Sequence, residues 1–435
     1  MAVAGLLQAH GAQLFLSDHA SLDSMRRAKE ELDALGIAYE FGVNSRRILE
    51  SDILVLSPGI PSDLPIVKDA LALGKAVISE IEVASWFCPG PILAITGTNG
   101  KTTTTTLLGR IFEDAKRPTA IAGNIGTAFS QAVGGMMSET AAILEISSFQ
   151  LDHIGTFRPH VAALLNITPD HLDRYDHSFA NYIESKCRIF ENQSTGDFLV
   201  YNYDDEVTRT SVQQRVSKEV TLLPFSQTST LPQGAFLQDG NVIVALGGKQ
   251  TDVLPASAIS IRGAHNLYNA MAAMLAARAM AIPTSSIRAT LKNFKGVEHR
   301  LEFVRELHAV VYINDSKGTN VDSVWYALQS FSQPIVILLG GRDKGNDYSR
   351  LYDLVRRRVR AVVGIGESAE KVKASFDSIV PVTTCTSMEE AVLTAQKLAK
   401  PGDVVLLSPA CASFDWFNNY EHRGAVYKEL VHKLT

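Results

Sequence analysis

The sequence predicts an α/β protein of three domains, and three observations carry that expectation. The chain has 435 residues, too many for one core when a domain takes about 100–200 residues. Its opening stretch alternates short apolar runs with helical patterns, the rhythm of βαβ units. Towards its end, three apolar strands each run into a polar loop containing Gly or Ser, the way a doubly wound sheet presents ligand-binding loops. The expected domains are 1–79, 80–296 and 297–435, with no low-complexity linker or tandem repeat.

Hydrophobic residues make up 46% of the chain and charged residues 20%, ordinary proportions for a soluble globular protein. No apolar run approaches the ~18 residues of a membrane span, and the start lacks a secretory pattern, so a cytoplasmic protein without membrane insertion is expected. A net charge of −5 leaves no basic footprint for nucleic acid, while small anions need only local positive charge. Cys88, Cys187, Cys385 and Cys411 have no C-x-x-C spacing and imply neither a zinc site nor a disulfide framework.

In chain order, Ala2–His10 has helical periodicity and Gly11 ends it. A strand at Gln13–Ser17, a helix over Ser21–Leu35, a strand at Ile53–Ser57 and a helix over Leu64–Leu73 follow. Asp18 closes the first strand, a place for either a ribose-binding acid or a helix cap. Ser57–Pro58–Gly59–Ile60 is a turn at the carboxyl edge of the second. A doubly wound domain opens with a strand and a Gly-rich loop ahead of such a first helix, so this one reads as starting one strand late.

Ile92–Ile95 is a buried strand running into Thr96–Gly97–Thr98–Asn99–Gly100–Lys101–Thr102–Thr103. The two glycines let backbone N–H groups converge on phosphate, Lys101 supplies a cation at the helix start, and the Thr102 hydroxyl suits a magnesium ion. The loop is shorter than the common G-x-x-x-x-G-K-[ST], for Ile95 stands where its first Gly would be. The bland alternative is a Gly-rich turn with a solvated Lys, and the apolar strand directly before it weighs against that.

Beyond the loop, Gly123–Asn124–Ile125–Gly126 precedes the strand Ala142–Glu145, whose terminal carboxylate sits where a second magnesium-binding group is expected, followed by Ile146–Ser147–Ser148. The strand Val161–Leu165 leads through Asn166 to Asp170–His171–Leu172–Asp173–Arg174, and the helix Tyr182–Phe190 carries Lys186. After the strand Phe198–Tyr201, residues 206–262 read as short strands with a turn at Asp239–Gly240–Asn241. Helical periodicity returns at Asn266–Ala281, where Asn266 and Asn269 face one way, suited to an adenine or, for Asn266, a cap. The three closing strands are Val310–Asn314, Ile335–Leu339 and Val404–Leu407, with loops Asp315–Asn320, Gly340–Lys344 and Ser408–Ser413.

Together these loops resemble the Mur ligase family over nearly the whole chain: Thr96–Thr103, Gly123–Gly126, Leu144–Gln150, Asp170–Arg174, Ser185–Ile189, Gly263–Asn269, His299–Glu302, Asn314–Asn320, Leu338–Lys344 and Leu406–Trp416 stand in the family's order. The resemblance implies a Rossmann-like N-terminal domain, here without its first strand, a central P-loop ATPase-like α/β domain, and a C-terminal Rossmann-like domain. It further implies an ATP-dependent amide ligase acting through an acyl phosphate. Ser408–Ser413 with Asn314–Asn320 resemble the branch that adds D-glutamate to UDP-N-acetylmuramoyl-L-alanine in peptidoglycan precursor synthesis. Another amide ligase of the superfamily, adding L-alanine, a diamino acid or folyl glutamate, is the nearest alternative, although the diamino-acid signature Asp-Asn-Pro-Arg is absent. A non-catalytic nucleotide-binding homologue is the other, and intact Lys101, Glu145, His171 and Lys186 argue against it.

By the same resemblance, ATP is held by residues 97–103, Asn266, Asn269, Arg300 and Asp315. Two magnesium ions are served by Thr102, Glu145, His171 and Lys186, the last carbamylated by carbon dioxide. The UDP-sugar falls to Asp18, His19, Ser57, Gly59, Asn124, Ser147 and His171, and D-glutamate to Lys317, Thr319, Lys344, Ser413, Phe414 and Tyr420. A monomer whose site is completed by domain closure is implied as well.

Overall fold

The computed structural model describes every residue except Pro58, Arg262 and Lys344, with Asp252 described in its backbone alone. The chain divides into two compact units, one of Met1–Ala256 with Tyr268–Thr290, the other of Ser257–Leu267 with Leu291–Thr435.

The first unit opens with the helix Ala2–Ala9. Four short strands then form two separate parallel pairs, β1 (Phe15–Asp18) with β2 (Ala38–Phe41) and β3 (Ile53–Leu56) with β4 (Ala76–Ser79). The helix expected from Ser21 begins only at Arg26. The Ser24 hydroxyl donates to Ser21 O at 2.7 Å, a local bond that offers the backbone a turn instead of a helix.

Nine strands build the large sheet: β5 (Ile92–Thr96), β6 (Thr119–Gly123), β7 (Ala141–Glu145), β8 (Val161–Leu164), β9 (Phe198–Asn202), β10 (Thr221–Ser226), β11 (Gly234–Gln238), β12 (Asn241–Leu246) and β13 (Lys249–Pro255). Their spatial order is β13-β12-β11-β10-β9-β8-β5-β7-β6. Neighbours from β6 to β11 run parallel, while β11, β12 and β13 form an antiparallel edge. Every residue of β5 is buried, as a parallel strand covered on both faces requires. The chain passes from one side of β5 to the other between β7 and β8, so the strand order reverses there and a crevice opens beyond the carboxyl ends.

Residues 206–262 are not all strand. They begin with the helix Glu206–Arg215, whose N-terminus is capped by Asp205 accepting from Thr208 N at 2.8 Å, with Glu206 and Arg215 at the ends favoured by the helix dipole. The helix Ala264–Ala279 is buried at every position from Ala270 to Ala277, consistent with a sequence apolar all round.

In the second unit, β14 (Glu302–Leu307), β15 (Val310–Asn314), β16 (Ile335–Gly340), β17 (Val359–Ile365), β18 (Val382–Thr384) and β19 (Val404–Leu407) make a sheet ordered β14-β15-β19-β16-β17-β18. The first pair is an antiparallel hairpin and the rest are parallel. Apolar clusters built around Ile337 and Leu338, successive residues of β16, cover its opposite faces. The loops after β15, β16 and β19 therefore emerge at one end.

Candidate functional site

The turn after β5 is shaped by glycine. Gly97 and Gly100 take φ of 152° and 88°, and a Cβ on Gly100 would stand 2.2 Å from Asn269 Oδ1. Only glycine lets the backbone pass so close under that side chain. Asn166, just beyond β8, clamps the turn by accepting from Asn99 N at 2.8 Å and donating to Asn99 O at 3.0 Å. Thr98 Oγ1 donates to Thr168 O and accepts from Thr168 N, both at 3.0 Å. The turn delivers the chain into the helix Lys101–Asp114, whose first N–H groups face the same end of the sheet, with Thr102 and Thr103 buried in its first turn.

Two lysines meet on this turn. Lys101 Nζ donates to Gly97 O at 2.8 Å and Thr98 O at 2.9 Å, and Lys186 Nζ donates to the same Gly97 O at 3.0 Å. Lys186 projects from the helix Phe179–Cys187, is 1% exposed, and lies 4.7 Å from the Tyr182 ring centroid. Burial, reinforced by the charge of Lys101, pushes its amine well below the ordinary lysine range.

At the end of β7, Glu145 is 2% exposed. Its Oε1 accepts from Asn124 Nδ2 at 3.0 Å, while Oε2 is buried without a hydrogen-bond partner. Gly123 permits this closeness, since a Cβ there would lie 2.3 Å from Glu145 O. Such an orphaned carboxylate oxygen fits a cation-binding role, and magnesium commonly takes one or two protein carboxylates and completes its shell with phosphate and water. Ser147 is engaged in a capping box with Gln150. His171 has a left-handed backbone (φ 52°) and sets its ring edge-on to Phe149 at 5.3 Å.

Arg174, which closes the Asp170–Arg174 motif and was assigned no role from the sequence, stacks on Phe149 at 4.3 Å and donates to Gly59 O (3.4 Å) and Ile60 O (3.2 Å). It thereby ties the turn after β3, with exposed Ser57 and Gly59, to the loop that carries His171. Asp18 and His19 lie at the end of a different pair of strands, where Asp18 Oδ1 accepts from Ala20 N at 2.8 Å.

In the second unit, Asp315 follows β15 and is almost wholly buried. Burial lifts its carboxyl from 3.8 to about 6, although Ser408 Oγ donates to it at 2.7 Å and Arg300 and Leu301 N partly offset the shift. Lys317 Nζ lies 5.2 Å from the Tyr420 ring centroid, Ser413 is buried and Phe414 is exposed. Lys344 falls outside the described residues. Arg423, 1% exposed and also unforeseen, donates to Ser316 Oγ (3.0 Å), Ser316 O (2.7 Å), Cys411 O (3.1 Å) and Ala412 O (3.3 Å). It pins the loops after β15 and β19 together. Asn266 and Asn269 both lie buried on the helix Ala264–Ala279.

A glycine turn opening a helix, two lysines on one carbonyl and a buried carboxylate at the point of strand reversal define a P-loop α/β enzyme of the phosphoryl-transfer type. Comparison with known proteins narrows the class. Residues 95–277 match the Mur ligase middle domain and 299–411 the Mur ligase glutamate ligase domain. The chain is 48% identical to the UDP-N-acetylmuramoylalanine–D-glutamate ligase of Salinibacter ruber, over 100% of this chain and 95% of that one. It is 42% identical to the enzyme of that name from Pelotomaculum thermopropionicum, with the same coverage. Among solved structures, a pseudomurein peptide ligase type C from Methanothermus fervidus superposes with a TM-score of 0.63 at 18% identity, covering 100% of this chain and 97% of that one. A MurF ligase from Thermotoga maritima in complex with ADP gives 0.59 at 18%, covering 88% and 94%. The chain belongs to the Mur ligase family.

Proposed function

We propose that this protein is an ATP-dependent amide ligase that joins D-glutamate to UDP-N-acetylmuramoyl-L-alanine. The observation that carries the reading is the site at the carboxyl ends of β5, β7 and β8, present in a chain 41–48% identical to relatives named for that reaction. No helix among the described residues is long and apolar enough to cross a membrane.

The substrate carboxylate attacks the γ-phosphorus of ATP, giving an acyl phosphate and ADP. The amine of D-glutamate then adds to the acyl carbon, and the tetrahedral intermediate expels phosphate, leaving the amide. Two anions must approach in the first step, so the task for the protein is to offset charge and hold the reactants in line. The loop amides of residues 97–103 and the ammonium of Lys101 hold the phosphate chain. To receive it, Lys101 leaves the carbonyls of Gly97 and Thr98. Thr102, Glu145 and His171 would hold magnesium, which when bound would neutralise phosphate charge.

Lys186 is suited to carbamylation because its buried setting favours the neutral amine, the form that adds carbon dioxide; the carbamate would add a negative charge beside the Gly97 carbonyl. Asn124, His171 and the Ser57–Gly59 turn serve the UDP-sugar, with Asp18, His19 and Ser147 as further candidates. Asn266, Asn269, Arg300 and Asp315 serve the nucleotide, and Lys317, Thr319, Lys344, Ser413, Phe414 and Tyr420 serve D-glutamate. On this reading residues 1–79, 80–296 and 297–435 divide the UDP-sugar, ATP and amino-acid roles.

The test is phosphate release with ATP and UDP-N-acetylmuramoyl-L-alanine in the presence of D-glutamate, L-glutamate, L-alanine or meso-diaminopimelate. Release stimulated by D-glutamate alone is expected. Stimulation by another of the four in its place reassigns the enzyme within the family.

A further inference from the structure

Among the described residues, one group of three metal-ligating side chains converges: Glu298, His299 and Glu302. Its members are already engaged. Asn314 Nδ2 lies 2.9 Å from His299 Nδ1 and donates to Glu302 Oε2 at 2.9 Å, and His299 N donates to the same oxygen at 2.9 Å. Lys428, on the helix Tyr420–Lys433, donates to Glu302 Oε1 at 2.9 Å and also to Glu298 Oε1. An ammonium therefore occupies the electrostatic place a metal ion would take. The cluster works as a clamp.

What it clamps is a strained strap. His299 and Leu301, on either side of Arg300, both have left-handed backbones (φ 62° and 43°), which side chains other than glycine hold only where the surroundings over-determine them. The restraints come from several directions. His299 O accepts from Lys317 N at 3.1 Å, Leu301 N donates to Asp315 Oδ1 at 3.3 Å, and a Cβ on Gly424, one turn before Lys428, would lie 2.2 Å from His299 Nδ1. Arg300 itself, at the crest, has a buried Nε without a hydrogen-bond partner. Holding the backbone on either side of Arg300 fixes the point from which its side chain projects.

We propose that Lys428 is a positioning residue for the nucleotide: by holding Glu298 and Glu302 it fixes the strap that aims Arg300. The inference rests on the assignment of Arg300 to the phosphate chain in the proposed function, and the experiment separates the two. A non-hydrolysable ATP analogue with magnesium is titrated into the wild-type protein, Arg300→Ala, Lys428→Met, Lys428→Arg and the double variant Arg300→Ala/Lys428→Met. Lys428→Met is expected to weaken binding about tenfold, Lys428→Arg to return it to within about threefold of wild type, and Lys428→Met to add nothing once Arg300 is gone, because residues acting as one unit are not additive.

Thermal melting of each variant establishes that it is folded. Should Lys428→Met not fold, Glu298→Gln loosens the clamp from its exposed side and is expected to weaken binding in the wild-type background but not in Arg300→Ala. If Arg300→Ala leaves affinity unchanged, the phosphate assignment fails and the positioning role with it. If Arg300→Ala weakens binding but loosening the clamp does not, or weakens it equally in both backgrounds, the positioning role alone is overturned.

Discussion

After β5 the chain turns on two glycines and is held by an asparagine side chain and by threonine bonds to neighbouring backbone. After β15 and β19 the loops are held by buried charge: Arg423 bonds to Ser316, Cys411 and Ala412, and Asp315 is closed under Ser408. The first arrangement leaves its cation, Lys101, bonded to carbonyls that phosphate can replace. The second commits its cation to structure. Substitution of Lys101 should therefore be felt in turnover, and that of Arg423 in stability.

The largest effect is expected at Lys101. Lys101→Ala should lower turnover by ~10²–10³-fold or more, the scale of one lost transition-state donor, with little change in melting temperature. A variant keeping over about a tenth of the rate would place the phosphates elsewhere. Lys186→Ala should be comparably inactive but partly restored by short carboxylic acids at high concentration, whereas Lys101→Ala should not respond. Rescue of neither, with no added mass on Lys186, would leave Lys186 as a buried structural amine.

The next two predictions probe the other side of the contrast. Arg423→Met should cost about 4 kcal/mol in urea unfolding, because hydrogen bonds to a charged group are worth ~1.5–3 kcal/mol each and buried carbonyls lose their donor. A loss below about 1 kcal/mol would mean the two loops are joined by something else. Asp315 carries the smallest effect and a definite sign. Its folded pKa of about 6 lies above 3.8, so the folded state binds more protons between those values and stability is lost as pH rises through that window, by up to about 3 kcal/mol. Asp315→Asn should gain stability relative to wild type at pH 7.5 compared with pH 4. An equal difference at both would show that Asp315 is not held at a raised pKa.

The same contrast explains what could be read in the residues. Gly97, Gly100 and Lys101 after an apolar strand announce a phosphate turn because glycine spacing and strand hydrophobicity are local properties. Glu145 and His171 follow from strand ends, and Lys186 was placed only by family resemblance. Arg423 could not be foreseen: an arginine among Tyr, Glu and His on a helix reads as solvated, and its partner Ser316 is 107 residues away. Lys428 and Arg174 act through equally remote contacts, with Glu298 and with Gly59. The helix Glu206–Arg215 is hard to read from sequence because its amphipathic pattern is weak and turn signals surround it.

The most direct test of the chemistry assigned to the β5 turn follows one oxygen atom. UDP-N-acetylmuramoyl-L-alanine labelled with ¹⁸O in its carboxylate is turned over with ATP and D-glutamate, and the released phosphate is examined by mass spectrometry. Because the carboxylate attacks phosphorus and the amine then expels phosphate from carbon, the phosphate should carry a labelled oxygen away, and Lys101→Ala should slow its appearance in step with turnover. Amide product formed with unlabelled phosphate would contradict an acyl phosphate at this site.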